Sequence, residues 1–182
     1  LKRFITIADR IAIYGALAHA FFKELGYELG ESLVDEETAP VKPFLHHPKI
    51  ILPADVRVKN GERVFIKTPD ALIPTDNILD VGLVSIEQLL PVISASRFIL
   101  WNGPLGNFER GFRGSTEATA KFIAASNAES IVGGGDTVAA IRALNILDQF
   151  DFVSTGGGAM LDFLATGTLP GIEALKTSPP LD

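Results

Sequence analysis

Two runs of three consecutive glycines are the residues of this 182-residue chain most suggestive of chemistry. Gly133, Gly134 and Gly135 follow one short β-branched segment, and Gly156, Gly157 and Gly158 follow another, with a helix-like segment after each. Glycine contributes no side chain and costs backbone entropy, so such runs need a reason. Bare backbone amides at a helix N-terminus attract anions. The runs therefore predict a site for a phosphate chain.

Asp136 and Thr137 come directly after the first glycine run. A carboxylate beside bound phosphates would repel them unless a cation lay between, and Mg²⁺ is the cation that bridges carboxylate and phosphate oxygens. Asp136 could equally be an ordinary helix N-cap. Thr137 could donate its hydroxyl to a phosphate or simply lie in the first helical turn.

Residues 101–109 (WNGPLGNFE) form a third unusual stretch, which we call the 101–109 loop. Asn102 and Glu109 offer an amide and a carboxylate suited to ribose hydroxyls. Pro104 and Leu105 offer a flat apolar surface suited to a base. A structural loop around a buried tryptophan explains the same residues, and their chemistry alone leaves both interpretations open.

Several site classes are excluded or disfavoured. The fingerprint G-x-G-x-x-G is missing, because Val138 and Leu161 stand where its third glycine would be, and G-x-x-x-x-G-K-[ST] does not occur. A dinucleotide-dependent oxidoreductase and a P-loop are thus disfavoured. The chain has no cysteine, which excludes disulfides and thiol catalysis. A net charge of −6 without a basic tract argues against nucleic acid or an anionic membrane as partner.

Strand and helix patterns alternate along the chain, which predicts an α/β fold: a three-layer sandwich with a mostly parallel, Rossmann-like sheet. Ligands of such sheets lie beyond the carboxyl ends of the strands. Four predicted strand ends carry glycine, at Gly15, at Gly103 and at the two triplets. The predicted strands are 10–13, 49–52, 55–58, 63–67, 97–101, 131–132 and 152–154. The predicted helices begin near residues 16, 85, 115, 137 and 159.

Local signals set the expected boundaries. Ser85 would open a capping box, Ser115 or Thr116 would cap the next helix, and Gly167 would end the last one. Asn60-Gly61 predicts a hairpin. Residues 34–80 are expected to be loops plus a small antiparallel patch, and the proline-rich tail from 177 to 182 should be extended.

Together these stretches resemble the C-terminal, nucleotide-binding domain of the phosphoglycerate kinase family. The family motif W-N-G-P-x-G-x-F-E matches residues 101–109, G-G-G-D-[ST] matches 133–137, S-T-G-G-G-A matches 154–159, and L-P-G matches 169–171. The resemblance covers nearly the whole chain, in order. It implies one domain over residues 1–182, incomplete at its N-terminal edge.

The resemblance also implies roles for individual residues. It assigns nucleotide contacts to Gly15, Asn102, Pro104, Glu109, Gly134, Gly135, Asp136, Thr137 and Thr155, with Asp136 toward Mg²⁺. It assigns receipt of the transferred phosphoryl group to Gly156, Gly157 and Gly158. The implied reaction of glycolysis is reversible phosphoryl transfer between 1,3-bisphosphoglycerate and ADP, giving 3-phosphoglycerate and ATP, in a cytoplasmic monomer.

The chain departs from the family pattern in three ways, one of which is the irregular segment after Leu33, expected to be shorter than the family's helix there. The family's G-G-G-M-A turn reads Tyr14-Gly15-Ala16-Leu17-Ala18 here, and Tyr14 and Ala16 are expected to reshape the base pocket. The basic N-terminal domain that binds phosphoglycerate and the family's lysine-bearing G-G-A-K-x-x-x-K turn are absent, and the chain begins at Leu1 rather than methionine, so a longer parent is expected. The chain alone is therefore expected to bind nucleotide weakly without turnover. A non-catalytic nucleotide-binding homologue is the alternative.

Overall fold

A computed structural model describes residues 1–34 and 40–177 of the chain. Its strands are β1 (Ile11–Ala12), β2 (Ile50–Ile51), β3 (Val56–Asn60), β4 (Arg63–Lys67), β5 (Asn77–Val81), β6 (Phe98–Asn102), β7 (Glu129–Gly133) and β8 (Phe152–Ser154). Its helices are α1 (Lys2–Ile7), α2 (Ala16–Glu24), α3 (Leu83–Ala95), α4 (Gly114–Ala124), α5 (Gly135–Ala143), α6 (Gly157–Thr166) and α7 (Pro170–Thr177). The predicted extended tail lies outside the described residues, except for Thr177, which ends α7.

Parallel pairing dominates the strands that alternate with helices. β1 pairs with β2, and β7 lies between β6 and β8, with every pair parallel. These pairs confirm the predicted α/β class. The antiparallel patch is also confirmed: its order is β4-β3-β5, and Asn60 faces Arg63 across a hairpin in which Gly61 has a φ of 57°.

The prediction of loops up to residue 80 was wrong for β5. Residues 78–81 are all buried, and the strand pairs with β3 with a register shift between Arg57 and Val58. Its asparagine and aspartate residues gave it a loop-like composition, whereas its structure depends on pairing with β3. Helices α1 and α7 were also not predicted.

Two apolar clusters form the interior. The first gathers β1, α2 and β3 around Phe21, Phe22, Val56 and Val58, each no more than 2 % exposed. Ala18, Phe21 and Phe22 lie on one face of α2 because they are spaced three and four residues apart. The second gathers α3, α4, α5 and the strands β6 to β8, with Val132 and Ile141 fully buried. Burying one such side chain contributes about 1.5–3 kcal/mol.

The expected capping box at Ser85 was wrong, because α3 begins two residues earlier and its N-terminus is capped from elsewhere in the chain. Asp55 accepts hydrogen bonds from the amides of Val84 (3.1 Å) and Ser85 (2.7 Å). The Ser85 hydroxyl donates to the same carboxylate at 2.6 Å. A Cβ on Gly82 would overlap the Asp55 carboxylate, so the helix starts directly against it.

The expected cap at Ser115 or Thr116 was wrong for a similar reason. Helix α4 begins at Gly114, and buried Asp80 of β5 accepts a short hydrogen bond from the Ser115 hydroxyl as well as one from the Val81 amide at 2.9 Å. Burial raises the pKa of Asp80, and its bonds with Ser115 offset part of that rise. The Thr116 hydroxyl instead accepts a bond from the Leu105 amide at 3.0 Å.

The end of α6 was predicted correctly, whereas the end of α5, expected near Leu147, was not. Gly167 closes α6 in the left-handed conformation, as predicted. Helix α5 ends at Ala143, before the predicted residue 147, and Asn145 follows with a φ of 55°. Among the described residues, no helix has the length and apolar character needed to cross a membrane.

Two buried titratable side chains form hydrogen bonds to other segments in the first half of the chain. Asp76 accepts hydrogen bonds from Lys67 (2.6 Å) and Asn60 (3.0 Å), and these bonds hold its pKa below the ordinary value although desolvation acts to raise it. The Nδ1 of His19 lies 2.6 Å from the Leu33 carbonyl, and burial lowers the pKa of this imidazole.

Candidate functional site

Three parallel strands end side by side at one edge of the sheet. Asn102, the last residue of β6, faces Gly133 of β7, which faces Ser154 of β8. The residues that follow these positions open the 101–109 loop and the two glycine turns. The sheet thus brings together three of the four glycine-bearing strand ends that the sequence analysis placed at one edge.

The backbones at this edge lie too close for side chains larger than glycine. A Cβ on Gly157 would overlap the side-chain oxygen of Asn102 and the backbone nitrogen of Gly134. A Cβ on Gly133 would lie 2.6 Å from the Met160 Cε and 3.0 Å from the Asn102 Oδ1. Gly134 also has a φ of 95°, which L-residues rarely adopt. Close approach between the two turns therefore explains Gly133, Gly134 and Gly157, whereas a Cβ on Gly135 or Gly158 would have no atom within 4 Å.

Each glycine turn leads into a helix whose N-terminus is not capped by a side chain. Gly134 is the N-cap of α5 and Gly156 is the N-cap of α6. The first main-chain bonds within these helices come from Val138 to the Gly134 carbonyl and from Met160 to the Gly156 carbonyl. The three amides before each of these donors have no acceptor within their helix. Both helix ends can therefore present N–H groups and a positive dipole end to an anion.

Asp136 and Thr137 lie in the first turn of α5 but differ in exposure. The N-cap interpretation of Asp136 was wrong, since Gly134 holds that position, and the Asp136 side chain is exposed. Thr137 is fully buried, and its hydroxyl has no hydrogen-bond partner among the described residues. The carboxylate is thus open to solvent beside the turn, while the hydroxyl lies beneath it, 3.4 Å from a Cβ built on Gly134.

The 101–109 loop is fixed by contacts to its own residues and to two neighbouring elements. The Trp101 indole N–H donates to the Gly103 carbonyl at 2.9 Å. The Leu105 amide is held by Thr116 of α4, and the Asn107 amide donates to the Leu79 carbonyl of β5 at 2.7 Å. The loop is therefore held in a defined position beside the strand ends.

The end of the 101–109 loop forms a 3-10 turn, Phe108–Arg110, which carries the exposed Glu109. The Asn107 side chain accepts a hydrogen bond from the Arg110 amide at 3.1 Å. The Arg113 guanidinium lies 4.3 Å from the centre of the Phe108 ring. These contacts fix the backbone on both sides of Glu109. The sequence analysis missed Asn107 and Arg113.

Buried Asp80 contacts the backbone of the 101–109 loop, and the sequence did not identify it as a residue that forms the site. A Cβ on Gly106 would overlap the Asp80 carboxylate, so the loop backbone rests directly on it. Composition gave no reason to expect a buried carboxylate at this position.

Gly15 reaches the site through the 101–109 loop. It is the N-cap of α2 with a φ of 62°, and a Cβ there would lie 2.9 Å from the Pro104 carbonyl. The fourth glycine-bearing strand end therefore adjoins the other three through Pro104. Thr155 and Gly158 are exposed in the second turn, where the Ser154 hydroxyl accepts a hydrogen bond from the Gly156 amide at 3.3 Å.

The Tyr14 side chain is held by α3 and by the second apolar cluster. Its hydroxyl donates to the Ser85 carbonyl at 3.1 Å, and its ring packs against the second apolar cluster. Burial, followed by the nearby Asp55 charge, raises the pKa of this phenol. Ala16 and Leu17, which follow Gly15, are exposed.

The site is an open sheet edge. Two surface depressions, of about 490 and 310 Å³, lie elsewhere: one beside the C-terminal end of α5, lined by Arg142 and Asp148 among others, and one between Tyr27 and Pro69. The glycine turns line neither. Among the described residues, no group of three or more acidic or histidine side chains could hold a metal ion.

Comparisons with known proteins agree with the motifs at this edge. The phosphoglycerate kinase family model matches residues 1–167. Phosphoglycerate kinases from three strains of Buchnera aphidicola subsp. Acyrthosiphon pisum (Tuc7, 5A and APS) are 41% identical over 182 residues, covering 97% of this chain and 46% of each relative. The chain spans about half the length of these relatives.

Solved structures show the same similarity in three dimensions. Phosphoglycerate kinase from Coxiella burnetii matches with a TM-score of 0.82 at 34% identity, covering 96% of this chain and 48% of that one. The enzyme from Pyrococcus horikoshii OT3 matches with a TM-score of 0.77 at 29% identity, covering 96% and 47%.

Proposed function

Because the chain belongs to the phosphoglycerate kinase family, we propose that it is the nucleotide-binding half of a phosphoglycerate kinase. One observation carries the proposal: two helices without side-chain caps begin in glycine turns at adjacent strand ends, where backbone amides can meet a phosphate chain. The proposed reaction is reversible phosphoryl transfer between 1,3-bisphosphoglycerate and ADP, giving 3-phosphoglycerate and ATP.

The nucleotide would lie along the edge from the 101–109 loop to the first glycine turn. Gly134, Gly135 and the amides of Asp136 and Thr137 would hold its α- and β-phosphates. The exposed carboxylate of Glu109 would accept hydrogen bonds from the ribose, with Asn102 beside it, and Pro104 next to Gly15 would flank the base. The close approach of Gly15 to the Pro104 carbonyl supports placing these two residues on one side of the nucleotide.

The second glycine turn would receive the phosphoryl group during transfer. A β-phosphate oxygen of ADP would form a bond to the phosphorus of the acyl phosphate, while the bond from that phosphorus to the acyl oxygen breaks and the carboxylate departs. The amides of Gly157 and Gly158, with Gly156 and Thr155 beside them, would face the phosphoryl oxygens, where fixed dipoles stabilise developing charge. The neighbouring positions of Gly134 and Gly157 support in-line placement of donor and acceptor phosphates.

Asp136 fits a Mg²⁺ ion that arrives with the nucleotide. A single exposed carboxylate beside phosphate-binding amides is sufficient, because Mg²⁺ in such sites takes one or two carboxylates and completes its coordination with phosphate oxygens and water. Bound Mg²⁺ would neutralise part of the charge on the phosphate chain. Asp136 would hold this ion at the start of α5, since its side chain is exposed there.

The three motifs of the site contain none of the positive side chains that phosphoryl transfer usually needs. No lysine or arginine occurs in residues 101–109, 133–137 or 154–159. We therefore propose that the half of the relatives that this chain does not span binds phosphoglycerate and supplies the cationic groups. We also propose that this chain alone binds nucleotide without turnover. The parent would be a cytoplasmic monomer; the net charge of −6 supports excluding nucleic acid and anionic membranes as partners.

Calorimetric titration of the chain with ADP, with and without Mg²⁺, tests the proposal. We expect binding that Mg²⁺ strengthens, and Asp136→Ala should remove the strengthening while leaving metal-free binding unchanged or slightly tighter. Asp148→Ala is the matched control, because Asp148 is an exposed carboxylate beyond the opposite end of α5. Absence of ADP binding by the unsubstituted chain would refute the proposal. ATP formation from 1,3-bisphosphoglycerate by the chain alone would refute the inactivity.

A further inference from the structure

Tyr14 connects the two apolar clusters of the chain. Its neighbour Ile13 belongs to the first cluster, around β1 and α2, whereas the Tyr14 ring packs against the second, around α3 and the strands β6 to β8. Its hydroxyl reaches the Ser85 carbonyl, 71 positions along the chain. The residue immediately before Gly15 is thus anchored in the opposite cluster.

The anchor of Tyr14 is itself held firmly. Ser85 is fully buried in the first turn of α3, and both its amide and its hydroxyl donate to Asp55, at 2.7 and 2.6 Å. The Ser85 hydroxyl also accepts from the Asp55 amide at 3.0 Å. The hydrogen bond from the Tyr14 hydroxyl to the Ser85 carbonyl therefore attaches the phenol to a residue whose position is fixed by several hydrogen bonds.

On its other side, the turn that follows Tyr14 lies directly against the 101–109 loop. A Cβ on Gly15 would lie 2.9 Å from the Pro104 carbonyl and 3.8 Å from that of Leu105. Leu105 is held by Thr116 of α4, and α4 contacts α3, which carries Ser85. Gly15 thus contacts the 101–109 loop, the loop bonds to α4, α4 contacts α3, and α3 accepts the hydrogen bond of Tyr14.

We propose that Tyr14 is a positioning residue for the nucleotide: its bond to the Ser85 carbonyl holds Gly15 against the Pro104 carbonyl, and thereby fixes the backbone that flanks the base. This inference rests on the proposed function. Tyr14 acts through Gly15, because its own hydroxyl donates to the Ser85 carbonyl of α3. A substitution that removes only this hydroxyl should loosen the base side of the site and leave the phosphate side, which is built on β7 and β8, intact.

The test compares Tyr14→Phe with Tyr27→Phe, the other tyrosine of the chain, which packs in the first cluster. Each variant is titrated with Mg·ADP and with tripolyphosphate, a phosphate chain without nucleoside. Loss of one neutral hydrogen bond corresponds to roughly a 3- to 10-fold effect. Tyr14→Phe should raise the Kd for ADP by about that factor and leave the Kd for tripolyphosphate unchanged, while Tyr27→Phe should change neither.

Amide hydrogen exchange of the ligand-free chain supplies a readout that needs no nucleotide. Tyr14→Phe should speed exchange at Ala18, whose amide donates to the Gly15 carbonyl, and at Leu105, whose amide donates to Thr116, whereas Tyr27→Phe should not. Unchanged exchange there, or an equal loss of ADP and tripolyphosphate affinity, would overturn the role of Tyr14. Failure of the unsubstituted chain to bind ADP would instead refute the proposed function, and with it the nucleotide part of this inference.

Discussion

The steric reason for Gly157 can be tested by adding one methyl group. Gly157→Ala places a Cβ where the Asn102 Oδ1 and the backbone nitrogen of Gly134 already lie, with the Gly134 Cα at 2.7 Å. The Asn102 side chain could rotate away, but the Gly134 backbone follows β7 directly and cannot move without displacing the start of α5. The added methyl group must therefore push the two glycine turns apart.

Gly158→Ala provides a matched control, because Gly158 is the next residue of α6 and no atom would lie within 4 Å of its Cβ. Overpacking a rigid site costs about 1–3 kcal/mol, whereas alanine in place of an unhindered helical glycine stabilises by about 1 kcal/mol. The two variants should thus differ by about 2–4 kcal/mol in the free energy of unfolding, with Gly157→Ala the less stable.

Urea denaturation and differential scanning calorimetry measure this difference. For a chain of this size, each kcal/mol moves the thermal midpoint by roughly 2–4 °C, so Gly157→Ala should melt at least several degrees below Gly158→Ala. Equal stability of the two variants would refute the conclusion that backbone approach, rather than the ligand alone, requires glycine at 157.

Further predictions concern the buried acidic groups and His19. Asp55→Ala leaves the buried donors of Ser85 and the Val84 amide without an acceptor, and should lower the free energy of unfolding by about 2–4 kcal/mol in urea denaturation. The depressed pKa of His19 means that the unfolded chain binds a proton more readily, so stability should fall as pH drops through about 6.5, and His19→Gln should remove that step. Asp76, whose pKa is also depressed, should add a second loss below about pH 4, measured as the denaturation midpoint against pH.

Each of these predictions has its own control or contrary outcome. Asp70→Ala, at an exposed carboxylate, should leave stability within about 0.5 kcal/mol, and a similar loss in both aspartate variants would contradict the capping role of Asp55. The raised pKa of Asp80 acts in the opposite direction, since its stabilising effect grows as pH falls. A pH profile of His19→Gln that matches the parent between pH 7 and 5 would show that His19 does not control stability there.

Features determined by residues close in sequence were predicted well. The hairpin at Asn60-Gly61, the strand ends at the glycine triplets and the left-handed stop at Gly167 follow from backbone preferences that act over a few residues. The placement of the glycine-bearing turns at one edge also followed from the sequence, since parallel strands necessarily end at the same side.

Features that depend on distant partners could not be predicted in this way. Ser85 and Ser115 look like caps in a local window, but each bonds to an aspartate some 30 or more positions earlier, and each helix begins before the serine. Tyr14 stands beside the site glycine in the sequence, but its hydrogen bond to the Ser85 carbonyl, 71 positions away, could not be predicted from that position. In all three cases a buried partner elsewhere in the chain determined the position of the polar side chain.

The direction of the two aspartate caps has a consequence for how the chain folds as it is made. Asp55 lies upstream of α3, and Asp80 lies upstream of α4. Proteins are synthesised from the N-terminus and fold in that order where they can. When either helix emerges from the ribosome, the carboxylate that completes its first turn has already been synthesised. Helices α3 and α4 can therefore dock in turn during translation, without waiting for the glycine turns that follow them.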